Sequence, residues 1–338
     1  MKISLCVNDH QNNKIFSLDD INANRDNCLY PFHMLKKRLA LHNIDISTSD
    51  ILPPKNADIA FYFDFDSDKC GFSKLNYLFL FESKIIKPLG WLTNVQRKFD
   101  KIFTWDDKLV DNKKFFKINF TQLFPTQKEL IEIHKPFSER KLCVLIAGNK
   151  LVKHPDELYS ERVRIIKWFE KKHLNSFDLY GRGWNNKVTH NRYLNFFLRK
   201  FSFLNLLFEP YRSYKGEVKN KIDVLRNYRF SICFENAKNQ YGYITEKIFD
   251  CLFSSTIPVY WGAENILDHI PKECFIDYRD FSCDEDLFKY MNEMSESEYD
   301  EYLTNISSYL LSDKSNQFKE AFLSEVIIRH VLDDIKKD

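Results

Sequence analysis

The sequence predicts an α/β fold built from two Rossmann-like halves, because strand-like runs alternate with helical patterns along the chain. A chain of 338 residues is too long for one ordinary core and suits two domains. Hydrophobic residues make up 44% of the chain and aromatic residues 16%, which supplies both cores and disfavours disorder.

The first half carries one clear helical pattern among several strand-like runs. Residues Pro31 to His42 predict a helix whose inner face bears Leu35 and Leu39. The predicted strands are Ile3–Val7, Ala57–Phe65, Tyr77–Phe81, Lys101–Trp105 and Phe115–Phe120. Strands that alternate with helices in this way imply parallel βαβ units.

The second half restarts the same pattern. Two prolines interrupt the strand pattern between Gln122 and Glu139, so we predict domains 1–135 and 136–338, with a helix at the end of the second. The predicted elements are strands at Lys141–Ala147, Phe177–Tyr180, around Phe230 and at Val259–Trp261, and helices at Tyr159–Lys171, from Glu246 and from about Ser315.

Composition argues against nucleic-acid binding through charge alone, against a zinc site built on cysteine pairs, and against secretion. A net charge of +2 argues against nucleic-acid binding through charge alone. The eight cysteines contain no C-x-x-C pair, so zinc-ligand spacing is absent, and they are typical of free thiols in a reducing cytosol. The apolar run at the amino terminus is too short for a secretory signal or a membrane anchor, which favours a cytoplasmic protein.

The most informative stretch, residues 228–262, reads YRFSICFENAKNQYGYITEKIFDCLFSSTIPVYWG. Its apolar start predicts a buried strand that ends near Asn236. After a turn, Thr245 stands at the N-cap of a helix whose first turn contains Glu246 and Lys247. Ligands of open α/β sheets bind beyond the carboxyl ends of strands, where a helix N-terminus attracts anions. The pattern therefore predicts a site for the phosphates of a nucleotide.

Three motifs in this stretch resemble those of the α-1,3-fucosyltransferases, glycosyltransferase family 10: CFEN at Cys233–Asn236, GYITEK at Gly242–Lys247 and TIPVYWG at Thr256–Gly262. Weaker similarity extends from about Leu142 to about Phe281. The resemblance implies the GT-B fold, in which two Rossmann-like domains face a central cleft. It also implies a bacterial, inverting enzyme that transfers L-fucose from GDP-β-L-fucose to an oligosaccharide or glycolipid. The usual acceptor of the family is the 3-hydroxyl of GlcNAc in a Gal–GlcNAc unit.

Positive charge on the leaving diphosphate is expected from Lys247 and from one arginine. Lys247 lies in the first turn of the predicted helix, although it could instead be an exposed helix lysine. Arg164, in SERVRIIKW, resembles the family arginine that contacts the diphosphate, and Arg162 is near enough to be the true match. Arginine suits this position because it donates two hydrogen bonds to phosphate at once.

Other motif residues are expected around the rest of the donor. Glu246 suits the ribose, because a carboxylate accepts from paired hydroxyls, or it could only stabilise the helix dipole. Asn236 and Tyr243 match family positions that contact the donor, while a tyrosine packed in the turn is the alternative for Tyr243. We expect Glu235 to orient the loop and Thr245 to begin the helix.

Glu82 is the predicted general base, because it follows the strand YLFLF and would lie at a strand end facing the cleft. The family places its proposed base similarly, before a polar residue, as in FES here. The competing carboxylates are Asp64, Asp66 and Asp68 in FDFDSDK. Their D-x-D pattern elsewhere marks a metal–nucleotide site, but this half is the wrong one for the donor. We therefore predict no obligatory metal, although a divalent ion could assist the diphosphate.

The segment Asn191–Phe208 mixes basic with aromatic and leucine side chains. It predicts either an interfacial helix that contacts a membrane or a helix packed on the donor domain. Two other functions remain open: transfer of another GDP-sugar in lipopolysaccharide synthesis, and glycan or nucleotide binding without turnover. The presence of Glu82, Arg164, Glu246 and Lys247 together argues against the second of these.

Overall fold

The structure, a computed structural model, describes residues 1–20, 23–67, 70–133, 135–185 and 211–336. These residues form two compact units, each built on a parallel sheet. The first unit combines Met1–Phe124, Tyr241–Glu246 and Asp313–Asp338, and the second combines Pro125–Gln240 and Lys247–Ser312. The chain therefore passes between the units more than once, instead of dividing at the single boundary that the prolines suggested.

A six-stranded parallel sheet in the order β2-β1-β3-β4-β5-β6 forms the centre of the first unit. Its strands are β1 (Lys2–Cys6), β2 (Asp45–Thr48), β3 (Ile59–Phe63), β4 (Leu75–Leu80), β5 (Lys101–Thr104) and β6 (Phe115–Lys117). The helices are α1 (Tyr30–Leu41), α2 (Thr93–Gln96) and α10 (Glu320–Ile335), and short 3₁₀ turns lie at Lys14–Phe16, Arg25–Asn27, Pro54–Asn56, Leu89–Trp91 and Asp313–Phe318. All strand pairs are parallel, as the alternation of strands and helices predicted.

The carboxyl-terminal helix α10 belongs to the core of the first unit, not to the second as we predicted. Leu323, Ile327 and Val331 are buried in the same cluster as Leu35 and Leu39 of α1. The contact between the two helices forms because each presents an apolar stripe to the sheet, and burying both stripes together removes more apolar surface from water.

A five-stranded parallel sheet in the order β11-β10-β9-β7-β8 forms the centre of the second unit. Its strands are β7 (Lys141–Ile146), β8 (Phe177–Tyr180), β9 (Tyr228–Phe234), β10 (Ile257–Trp261) and β11 (Ile276–Asp277). Strand β9 is central and buried, and it pairs with both β7 and β10. The carboxyl end of β9 therefore lies between two neighbouring strand ends.

Helices of the second unit cover this sheet. They are α3 (Gln127–Ile133), α4 (Tyr159–Lys172), α5 (Lys221–Leu225), α6 (Glu246–Phe253), α7 (Ile266–His269), α8 (Asp284–Glu293) and α9 (Glu296–Leu311), with 3₁₀ turns at Phe137–Glu139, Leu174–Ser176, Lys272–Cys274 and Tyr278–Asp280. Helix α6 begins at Glu246, as the N-cap position of Thr245 predicted. Its first residue falls in the first unit and the remainder in the second.

Two sequence features concern membranes. The segment Asn191–Phe208 lies outside the described residues. Within the described part of the chain, no helix combines the length and the apolar character that a membrane crossing requires.

Candidate functional site

A buried ion pair lies at the carboxyl end of β9. Glu235 follows the strand directly and is fully buried, and its backbone N–H donates to the Trp261 carbonyl at 2.8 Å. The Lys247 amine in the first turn of α6 lies 3.1 Å from a Glu235 carboxylate oxygen. The Lys247 side chain is 23% exposed, so its charge is held at the strand end and still reaches solvent. That Glu235 orients the loop stays a prediction.

A glycine makes room for the pair. A Cβ atom at Gly262 would lie 2.5 Å from Cγ of Glu235 and 2.5 Å from the Tyr260 hydroxyl oxygen. Tyr260 is fully buried, and its hydroxyl accepts from the Ala263 N–H at 2.9 Å. Burial, together with the Glu235 carboxylate, raises the pKa of Tyr260. The motif TIPVYWG therefore needs its last residue to be glycine.

The two candidate arginines of α4 have different surroundings. Arg162 is buried, and its guanidinium donates to the Phe234 carbonyl at 2.6 Å and to Oδ1 of Asn236 at 3.2 Å. Arg164 donates instead to the Asp284 carboxylate and to Glu161, the latter at 2.7 Å. Of the two, Arg162 is the arginine that lies beside a predicted donor residue at the end of β9.

Arg164 is partly exposed and is paired with two carboxylates. Its side chain is 44% exposed and links α4 to the start of α8 through Asp284. The hydrogen bonds to Asp284, followed by that to Glu161, raise the pKa of the Arg164 guanidinium. The structure therefore separates Arg164 from Asn236 along the surface of the helix, since residues two apart face different sides.

Tyr243, the predicted donor contact, is buried among aromatic side chains of the first unit. Its ring lies 4.8 Å from that of Trp105 and 5.7 Å from that of Phe120, measured between centroids. Its hydroxyl donates to a Glu82 carboxylate oxygen at 3.4 Å. The structure thus brings the predicted base and a motif residue 161 positions later into contact.

The turn before Tyr243 fits closely against the first unit. Gly242 has a φ of +85°, and a Cβ atom there would lie 2.4 Å from the Trp105 carbonyl oxygen and 2.9 Å from the Lys117 amine. Only glycine adopts this conformation in this space without strain. Thr245 is buried directly before α6, and Glu246 is partly buried at its first position. The GYITEK motif therefore begins with a backbone that is held in place.

Glu82 stands two residues beyond β4, at the strand end that the sequence predicted. The alternative carboxylate Asp64 lies beside it and accepts from the Glu82 backbone N–H at 2.9 Å. Burial, and then the charge of Glu82, raise the pKa of Asp64 to about 7. Asp66 instead pairs with the Lys87 amine at 2.5 Å and is partly exposed, while Asp68 lies outside the described residues.

Among the residues that the structure describes, no three His, Cys, Asp or Glu side chains are grouped so that they could hold a metal ion. Lys247 and Arg162 are cationic side chains that lie at the end of β9.

Residues 147–327 match the family model for glycosyltransferase family 10 (fucosyltransferase), carboxyl-terminal part. The match covers more than half of the chain and includes β9, α6 and β10 with the buried pair. The chain belongs to glycosyltransferase family 10. The family membership predicted from the three motifs is confirmed.

Curated proteins similar to this family member are fucosyltransferases. It is 45% identical over 78 residues to the α-(1,3)-fucosyltransferase FucT of Helicobacter pylori, which is 22% of this chain and 16% of that protein. It is 29% identical over 116 residues to the mouse 4-galactosyl-N-acetylglucosaminide 3-α-L-fucosyltransferase 9, which is 34% of this chain and 32% of that protein. The matches thus span less than two thirds of those relatives' own length.

Solved structures resemble this family member over nearly the whole chain. An α1,3-fucosyltransferase with GDP-fucose covers 93% of this chain and 91% of its own, at a TM-score of 0.55 and 16% identity. Another α1,3-fucosyltransferase structure covers 98% and 90%, at a TM-score of 0.59 and 15% identity. Identities this low show the fold alone, and the predicted α/β class of GT-B type is confirmed.

Proposed function

We propose that this protein transfers L-fucose from GDP-β-L-fucose to a glycan hydroxyl, with inversion at the sugar. The observation that carries the proposal is the buried pair of Glu235 and Lys247, which places a partly exposed ammonium at a strand end inside the family motif. An ammonium at the first turn of a helix beyond a parallel strand suits a diphosphate, because the free N–H groups there add positive partial charge.

Departure of GDP requires positive charge on its diphosphate. We assign this role to Lys247 and, in place of Arg164, to Arg162. Arg162 already lies beside Asn236, whereas both carboxylate partners of Arg164 compete with a phosphate for its guanidinium. Since these side chains supply the charge, the proposed reaction needs no metal, although a divalent ion could add to it.

The remaining donor contacts follow the motif. Glu246 accepts from the ribose hydroxyls, and Asn236 binds the donor with an amide that both donates and accepts. Thr245 begins the helix whose N-terminus faces the phosphates. Tyr243 stays a proposed donor contact, and in the structure its hydroxyl donates to Glu82.

We assign the general base to Glu82, which removes the proton of the acceptor hydroxyl as that oxygen attacks the anomeric carbon. The GDP–fucose bond breaks on the opposite face, which inverts the configuration and gives an α linkage. The proposed acceptor is the 3-hydroxyl of GlcNAc in a Gal–GlcNAc unit, which is supported by the name of the mouse relative, a 4-galactosyl-N-acetylglucosaminide 3-α-L-fucosyltransferase.

The test measures GDP release by purified protein from GDP-fucose, with and without N-acetyllactosamine, in EDTA. The proposal expects release that depends on the acceptor, continues in EDTA and is lost in Glu82→Gln. Glu161→Gln is the matched control, because that glutamate lies on α4 beside Arg164 and outside the assigned groups.

Other results of this experiment would overturn parts of the proposal. Tight GDP binding with no release would reject this donor–acceptor pair, and a panel of GDP-sugars with lipopolysaccharide fragments would then identify the reaction. Glycan binding that survives Lys247→Met, without turnover on any sugar, would instead indicate a binding protein.

A further inference from the structure

Three side chains bind all four backbone hydrogen-bonding groups of Phe81 and Glu82. One carboxylate oxygen of Asp64 accepts from both N–H groups, at 2.8 Å for Phe81 and 2.9 Å for Glu82. The indole of Trp105 donates to the Phe81 carbonyl at 2.8 Å, and that of Trp91 donates to the Glu82 carbonyl at 3.1 Å. Side chains thus hold this segment after the strand has ended.

The conformation of Asp64 serves this arrangement. Its φ is +49°, a left-handed value that aspartate and asparagine adopt more readily than most other residues. Its own N–H donates to the Phe79 carbonyl at 2.9 Å, which fixes it against β4. The turn at the end of β3 therefore directs the carboxylate towards the next strand end.

The two indoles are also fixed. Trp105 is almost completely buried, and its ring lies 5.1 Å from that of Trp91, measured between centroids. Each donates its single N–H to one carbonyl. An indole has a single N–H donor, so each ring can bind only one carbonyl: Trp105 binds that of Phe81 and Trp91 binds that of Glu82.

We propose that Asp64, Trp91 and Trp105 are positioning residues that fix the backbone of Glu82 for proton abstraction. The inference rests on the proposed function, in which Glu82 is the base. Fixed geometry matters at this step, because a base that is displaced by about 1 Å can lose on the order of 100-fold in rate.

The charge of Asp64 adds a dependence on pH. The charged groups facing it are Glu82 on the segment that it holds and Lys87 on the following turn, which itself pairs with Asp66. The pKa of Asp64 is raised to about 7, first by burial and next by the charge of Glu82. Protonation below that pH replaces a charged acceptor with a weaker neutral one.

Two substitutions separate the hydrogen bonds from the backbone conformation. Asp64→Asn keeps an acceptor oxygen and tolerates the positive φ, but removes the charge. Asp64→Gly tolerates the φ and removes the acceptor. Asp26→Gly is the matched control, because Asp26 has a φ of +55° in a different turn of the same unit.

Amide hydrogen exchange tests the positioning directly and does not require activity. The proposal expects Phe81 and Glu82 to exchange faster in Asp64→Gly, and to keep their protection in Asp64→Asn and Asp26→Gly. Unchanged protection in Asp64→Gly would overturn the positioning inference. Because exchange is measured without turnover, this failure can be distinguished from a failure of the proposed fucosyl transfer.

Kinetics then connect position with catalysis. For Asp64→Gly we expect kcat to fall on the order of 10- to 100-fold, with an unchanged KM for GDP-fucose because no donor contact is assigned to Asp64. For Asp64→Asn we expect a loss of at most about fivefold, and no inflection in kcat near pH 7, where wild type has one. Equal kcat in wild type and Asp64→Gly would overturn the proposal, as would an identical inflection in Asp64→Asn.

Discussion

Lys247→Met is the most informative single perturbation, because it leaves Glu235 charged and buried without its ammonium. At 3.1 Å and an effective dielectric constant of about 20, the attraction in the pair is about 5 kcal/mol before desolvation. Removing one member of a buried pair typically destabilises a protein by about 3–5 kcal/mol. Since Lys247 is 23% exposed, we expect the lower end, about 3 kcal/mol.

The double variant Lys247→Met with Glu235→Gln tests whether the loss comes from the charge of Glu235. Neutralising Glu235 removes the buried carboxylate that has lost its contact with the Lys247 ammonium, so the double variant should be more stable than Lys247→Met alone. We expect a coupling free energy of about 1–3 kcal/mol between the two positions. Both variants should lose GDP affinity, because neither carries the ammonium that we assign to the diphosphate.

Urea unfolding measures the free energy of unfolding of each variant, provided that the m-value stays unchanged. Calorimetric titration with GDP measures affinity. Lys141→Met is the matched control: Lys141 is 66% exposed, and its partner Asp178 keeps Lys215 at 3.4 Å. The control should lose less than about 1 kcal/mol. The single variant Glu235→Gln completes the cycle. If the losses of unfolding free energy in Lys247→Met and Glu235→Gln simply add up to the loss in the double variant, the reasoning is refuted, because the two residues would then not interact.

Three further changes have defined outcomes. Gly262→Ala should destabilise the protein by about 1–3 kcal/mol in urea unfolding, since two side-chain atoms lie 2.5 Å from the new methyl group, whereas Gly148→Ala meets nothing closer than 4.0 Å and should be harmless. Arg162→Lys should weaken GDP binding about 10-fold or more by calorimetry, and an equal loss in Arg164→Lys would contradict the choice between them. Burial lowers the pKa of His330 from 6.5 to about 4, so folding favours its neutral form. The contribution of His330 to the free energy of unfolding is therefore complete above about pH 6.5 and is lost as pH falls towards 4. His330→Phe should flatten that part of the stability curve relative to wild type.

Local patterns predicted most elements of the fold. The helix at Pro31–His42 is confirmed as α1, and the predicted strands of both halves agree with the observed ones within a few residues. Strand β2 was missed, because its four residues lie at the sheet edge and include only one large apolar side chain. The position of α10 was also missed, since no local pattern indicates which distant core an apolar helix face will join.

Helical periodicity in the sequence distinguishes the two arginines of α4. Arg162, Ile165 and Phe169 are spaced i, i+3 and i+7, so they share one helix face, and all three are buried. That periodicity places Arg162 on the inner face and Arg164 away from it. The motif resemblance alone could not choose between two arginines separated by one valine, whereas helix geometry shows which of the two is buried.

The GYITEK motif contains two residues, Tyr243 and Lys247, that contact two different glutamates. Tyr243 lies in the first unit, where its hydroxyl contacts the proposed base Glu82, whereas Lys247 lies in the second, where it pairs with Glu235. The rigid turn at Gly242 and the start of α6 connect them. A substitution that shifts this turn should therefore change both of the contacts on which the proposed roles of Glu82 and Lys247 depend, namely Tyr243–Glu82 and Lys247–Glu235.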